Sequence, residues 1–175
     1  MTGRGDAGEI EKLATSLMKE RRYLEAIKLL NKRSSYAGKH WRLSWNLGWC
    51  YFKLGRFDDA RKHLIRAFKL APDDAVCKWA LGAVCLKKRQ FKKAEAFLVE
   101  SLRIKESHVT RISLAFAYLA QGKTKEAEKI HIENIKLGPR SSGRYKAYAA
   151  FLSDVGREAE SESMMRKAKA LRSVN

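Results

Sequence analysis

The chain has 175 residues, 45% of them hydrophobic, with 37 basic against 19 acidic residues and a formal charge of +18. This is enough apolar material for a substantial core, yet no apolar stretch approaches the ~20 residues that span a bilayer. Two prolines and no run of alternating β-branched residues favour helices over strands.

The charge is uneven. Up to Lys93 there are 22 basic and 9 acidic residues, and from Ala94 onward 15 and 10. A positive field of this kind attracts acidic surfaces, nucleic acid or anionic lipid over about a Debye length. Cys50, Cys77 and Cys85 are odd in number and follow no metal or redox spacing. Buried free thiols in a reducing compartment fit them best. With no hydrophobic signal segment at the start of the chain, a cytoplasmic address is expected.

Residues 1–6 read as a disordered N-terminal tail. Gly3 to Gly8 formally spell GxGxxG, but no strand precedes them and no βαβ unit follows, so phosphate binding is not expected there. The tripeptide Arg4-Gly5-Asp6 is read as a chance match.

From Ala7 a pattern begins that is clearest when the chain is laid on itself. Leu47-Gly48 falls on Leu81-Gly82 at an interval of 34 residues, and Phe57, Ala60 and Leu64 then fall on Phe91, Ala94 and Leu98. Leu114-Ala115, Tyr118, Gly122, Ala127 and Pro139 continue the register. Pro72 and Pro139 hold the same slot, beyond a predicted helix, where proline is tolerated. The units run 7–40, 41–74, 75–107, 108–141 and 142–175. The first carries Leu13, Ala14, Tyr23 and Ala26 but closes on Arg33 to Gly38 without a proline. The fourth places Asn134 at a small-residue slot and Thr124 at an aromatic one, which predicts looser packing. The fifth keeps Ala149, Gly156, Ser161 and Ala168.

In the second unit the helices are expected near 42–53 and 57–70. Gly55 should end the first of them in a left-handed conformation. Gly48 and Ala60 should let two backbones approach, with Tyr51, Phe57 and Leu64 around the contact. One such pair cannot bury its apolar face alone, so its neighbours must complete the core.

These residues resemble the tetratricopeptide repeat (TPR) family over residues 7–175, with weaker units at the ends. The resemblance implies an all-α fold: a right-handed superhelical solenoid of about five helix-turn-helix units, about ten antiparallel helices in one domain. It also implies a concave channel lined by the first helix of each unit. At the matching positions stand Arg42, Trp45, Trp49 and Phe52 in the second unit. Val76, Trp79, Ala83 and Leu86 follow in the third, and Val109, Ile112, Phe116 and Leu119 in the fourth. The end units offer Gly8, Glu11, Thr15 and Met18, and Gly143, Lys146, Ala150 and Ser153. Two readings of the rings stand: they stack on one another as inner wall, or they contact a ligand such as an amphipathic helix or an extended apolar peptide. A second copy of the chain covering the channel is a variant of the latter. Family members that clamp a terminal carboxylate use basic residues where this chain has Glu11, Thr15, Val76 and Ala80. Only Asn46 matches, so that ligand class is not expected.

The second helices place Lys28 and Lys32, then Arg61, Lys62, Arg66 and Lys69, on an outer face. Lys87, Lys88, Arg89, Lys92 and Lys93 crowd the next turn. These are read as a solvated basic face, or as a surface for an acidic partner, nucleic acid or anionic membrane. His40, His63, His108 and His131 are scattered, fit no catalytic or metal-binding motif, and are expected at the surface or at helix ends. No enzyme activity, metal or cofactor is expected. The functional expectation is a non-catalytic adaptor, scaffold or chaperone, with a nucleic-acid- or acidic-surface-binding factor as the alternative.

Overall fold

The structure is a computed structural model and describes residues 3–32 and 39–171, with side chains from Ala7 onward. The described residues are helical throughout, in ten helices without a strand. They are α1 (Gly3–Lys19), α2 (Tyr23–Lys32), α3 (Trp41–Lys53), α4 (Phe57–Leu70) and α5 (Ala75–Lys87). The remainder are α6 (Phe91–Ile104), α7 (His108–Leu119), α8 (Thr124–Lys136), α9 (Ser142–Asp154) and α10 (Glu158–Ala170). Each expected unit supplies two of them. Helix α1 opens at Gly3, so the stretch expected as a tail is helical backbone from there on, because a helix that packs its later turns extends through these residues at little cost. The connection at 33–38, expected to close the first unit, lies outside the described residues.

Sequence punctuation sets the helix limits. Gly55, Gly122 and Gly156 hold φ of +75°, +76° and +78° just beyond α3, α7 and α9, a region open to glycine at no steric cost. The same slot in the first and third units is held by Arg21 and Arg89, at φ of +61° and +57°. Side chains of Asp74 and Ser107 cap α5 and α7, accepting from the backbone N–H of Cys77 at 2.9 Å and of Thr110 at 3.3 Å.

The contacts divide the chain into two compact lobes, Met1–Gln90 and Phe91–Asn175. The division falls between α5 and α6, inside the third unit, where one domain was expected. In the N-terminal lobe α3 packs on α4, α2 on α3, and α4 on α5. The α3–α4 contact centres on Gly48, where an added Cβ would lie 2.6 Å from Leu64 Cγ and 3.1 Å from the carbonyl oxygen of Ala60. Leu47, Ala60, Leu64 and Ala67 are fully or almost fully buried around it. In the C-terminal lobe Ala115, Ala127, Tyr148, Phe151 and Leu152 form the core, flanked by Tyr118, Leu119, Ile130 and Met164.

Candidate partner-binding groove

Helix α3 carries Trp45, Trp49 and Phe52 along one face at spacings of four and three residues, which a helix aligns. Their rings stack. Trp45 and Trp49 lie 5.6 Å apart with planes 13° from parallel, and Trp49 and Phe52 lie 4.9 Å apart at 9°. Trp79 of α5 meets Trp49 at 5.0 Å and 43°. Phe52 also meets the edge of Phe57, which ties the ring wall to the α3–α4 hairpin. All four rings are only half-buried, and of these Trp45 and Trp49 line the adjoining groove, whereas Phe52 and Trp79 do not. The rings pack on one another, as the first reading expects, and remain partly exposed.

The groove is a space of about 460 Å³ lined by Trp41, Trp45, Asn46 and Trp49, with Glu11, Thr15, Met18 and Lys19 of α1 opposite, Arg42 at the rim and Val76 of α5 at the end. The indole N–H of Trp45 is shielded from solvent and has no acceptor among the described residues. A second cleft of about 430 Å³ is lined by Gly8, Lys12 and Ser16 and shares Glu11, Thr15, Lys19 and Arg42 with the first. The ammonium of Lys53 stands 4.9 Å over the Trp49 ring, and Arg42 stands 5.2 Å over that of Trp41.

Of the other residues expected in the channel, Ala83 is buried and Leu86 half-buried on α5, and neither lines this groove. Ile112, Phe116 and Leu119 of α7 belong to the C-terminal lobe. There they line a small cavity of about 140 Å³ with Ala115, His131, Ala147, Ala150, Phe151 and Asp154. Phe116 is 51% exposed.

The basic residues separate as well. Arg61, Lys62, Arg66 and Lys69 are exposed on α4, and no ion pair among the described residues engages them. Lys92 and Lys93 are exposed on α6, in the other lobe. Lys88 departs from the expected solvated face: its ammonium pairs with Asp58 at the start of α4 and holds that carboxyl below its usual range. Arg89 is exposed but takes the left-handed turn position.

His131 corrects the expectation of surface histidines. It is buried, stacked on Tyr148 at 5.7 Å and tilted against Phe151 at 5.1 Å, and burial depresses its pKa to about 4. His63 is half-buried and stacked on Tyr51 at 5.3 Å, with its pKa lowered by burial and by Lys62 and Arg66. Burial pushes the thiols of Cys50 and Cys77 up to about 12, so neither is a nucleophile near neutral pH. Among the described residues no group of three or more His, Cys, Asp or Glu side chains is placed to hold a metal ion, and no helix is long and apolar enough to cross a membrane.

The paired helices and the ring-lined groove define an all-helical repeat protein of the kind that binds other proteins. Two tetratricopeptide repeat models match residues 42–107 and 108–129, together half of the chain, and the chain belongs to the tetratricopeptide repeat family. Among curated protein sequences none matches significantly. Solved structures share the fold across the whole length. MamA from Desulfovibrio magneticus RS-1 (residue 41 to the end) superposes with a TM-score of 0.78 at 15% identity, covering 99% of each chain. MamA of strain AMB-1 gives 0.74 at 23%, covering 95% of this chain and 99% of that one. MamA of strain MSR-1 gives 0.71 at 22%, covering 96% and 97%. At these identities the likeness is one of fold.

Proposed function

We infer that the protein is a non-catalytic interaction scaffold that holds an apolar or amphipathic segment of a partner protein against the α3 ring wall of its N-terminal lobe. The observation that carries this is the half-open ring stack of Trp45, Trp49 and Phe52. Three large rings on one helix face are left partly wet beside a groove, although burying them would be favourable, and a bound segment would complete that burial. Tryptophans in such positions are the usual interface hot spots, worth about 2 kcal/mol or more each.

Site-specific photo-crosslinking in cells tests this. A photoreactive phenylalanine analogue is placed at Val76 in the groove and, separately, at Lys62 on α4. Protein crosslinks from position 76 that disappear when Trp49 is changed to alanine, in a variant with unchanged circular dichroism, are expected. Crosslinks from position 62 alone would overturn the reading.

A second reading rests on a separate observation. The exposed α4 cations Arg61, Lys62, Arg66 and Lys69 have no ion-pair partner among the described residues. Such a strip suits an acidic polymer bound without sequence preference and with steep salt dependence. Nuclease-sensitive capture of nucleic acid, lost on reversing Arg61, Lys62 and Arg66, would favour it.

A further inference from the structure

We propose that the segment held by the N-terminal lobe is acidic as well as apolar: a bulky side chain rests on the ring wall, and side-chain carboxylates beside it meet Lys12, Lys19 and Arg42. This rests on the groove reading above and adds the chemistry of the partner. The ring-lined groove and the neighbouring cleft share Glu11, Thr15, Lys19 and Arg42, so they are two parts of one trough. One part is aromatic. The other is lined by three cations and a single carboxylate, that of Glu11. Glu11 offsets little of this charge: its contact with Arg42 is 3.8 Å long and largely exposed. Lys12 and Lys19 are exposed and enter no ion pair among the described residues.

Two observations separate this ligand from others of negative charge. A base of single-stranded nucleic acid needs an open ring face to stack on. Here Trp45, Trp49 and Phe52 lie within 13° and 9° of parallel and stack in series, and Lys53 stands over Trp49, so part of the ring surface is already engaged. The ring surface that remains suits an aliphatic or aromatic side chain. Lys12, Lys19 and Arg42 also gather in the cleft that adjoins the rings. They fit carboxylates a turn or so away from the apolar anchor, and not an evenly charged backbone. The spacing from Lys12 to Lys19, two helical turns, gives such a segment two places to be held.

The test uses the full chain. Random dodecapeptides displayed on phage are selected on it, and the enriched peptide is made with a fluorescent label, alongside an analogue with Asn and Gln for its Asp and Glu. Enrichment of Asp or Glu within four residues of Trp, Phe or Leu is expected. Fluorescence anisotropy should show the amide analogue binding about tenfold more weakly at low ionic strength, a gap that closes in about 0.5 M salt. The triple variant K12E/K19E/R42E, changed only at exposed positions, should lose the preference, and Trp49→Ala should lose both peptides. Peptides that depend on Trp49 but bind equally as acid and amide would overturn the inference and leave the groove reading standing. Peptides indifferent to Trp49→Ala would overturn the groove reading beneath it. A labelled oligothymidylate that displaces the peptide and is itself released by the triple variant would overturn the proposal in favour of nucleic acid.

Discussion

Trp49 and Phe52 stand one helical turn apart on α3 with ring planes 9° from parallel and centroids 4.9 Å apart. Trp49 also touches Trp45 and Trp79, so it is the one ring that meets all the others of the wall. Changing Trp49 to alanine should therefore cost about 2 kcal/mol of stability, less than for a fully buried tryptophan, because part of the ring remains exposed. The groove should lose more than the fold does, with binding of a groove-selected peptide falling at least about thirtyfold. Urea denaturation followed by tryptophan fluorescence measures the first quantity. Trp41, Trp45, Trp49 and Trp79 all lie in the N-terminal lobe, so that signal reports this lobe alone.

Gly48 fixes how closely α3 and α4 approach. A methyl group there would meet Leu64 Cγ at 2.6 Å and the Ala60 carbonyl at 3.1 Å, and only the leucine side chain can yield. Gly48→Ala should destabilise the lobe by about 1–3 kcal/mol. Combined with Leu64→Ala it should cost less than the sum of the two single changes, because the added methyl occupies space that the leucine vacates. A double-mutant cycle in urea checks this, and strict additivity would show that the helices separate instead.

The fold was legible because the repeat fixes residue roles by position. Gly48, Gly55, Gly122 and Gly156 were placed correctly by register, since each is needed for a close approach or a left-handed turn. Arg21 and Arg89 at the same turn slot carry no such signature, because nothing local marks an arginine for φ near +60°. The groove was half legible. Trp45 and Trp49 share a face by helical spacing and line the groove, whereas Phe52 shares the spacing but not the lining, and Lys12 and Lys19 become lining residues only when α1 is laid beside α3. The separation of Ile112, Phe116 and Leu119 into another lobe depends on packing that periodicity does not encode. His131 was a missed signal: it holds the slot of Leu64 and Leu98, both fully buried.

Asn134 occupies the slot filled by Ala67, Ser101 and Ala168 in other units, all of them buried. Its side chain is 1% exposed, and neither its amide nitrogen nor its oxygen finds a partner among the described residues. Its backbone carbonyl accepts from the Arg144 guanidinium, which leaves the side-chain amide unserved. A buried, unsatisfied amide costs about 1–3 kcal/mol, so Asn134→Ala should stabilise the C-terminal lobe by about 1 kcal/mol despite the lost volume. A higher denaturant midpoint by far-UV circular dichroism, with an unchanged slope, is the expected result. A lower midpoint would mean that the amide is satisfied in solution.

His131 should make the C-terminal lobe sensitive to mild acid. Its folded pKa, about 4, lies below the ordinary value of 6.5 because burial against Tyr148 and Phe151 penalises the charged ring, and the nearby Glu128 offsets this only in part. Between these two values the unfolded chain binds more protons than the folded one. Stability is then complete above about pH 6.5, falls as the pH drops, and has lost about 3 kcal/mol by pH 4 at 1.36 kcal/mol per pKa unit. Glu128 itself is held below its usual range by the Tyr148 hydroxyl and the Arg157 guanidinium, so its contribution is lost lower on the scale, as the pH falls through the carboxylate range. The two are separable by substitution. His131→Leu, which restores the residue type of the equivalent buried slots, should flatten the stability profile between pH 6.5 and 4.5 and leave the steeper loss below it. Far-UV circular dichroism in urea at stepped pH measures both limbs, and an unchanged slope in the leucine variant would show that the imidazole is charged and solvated in the folded protein.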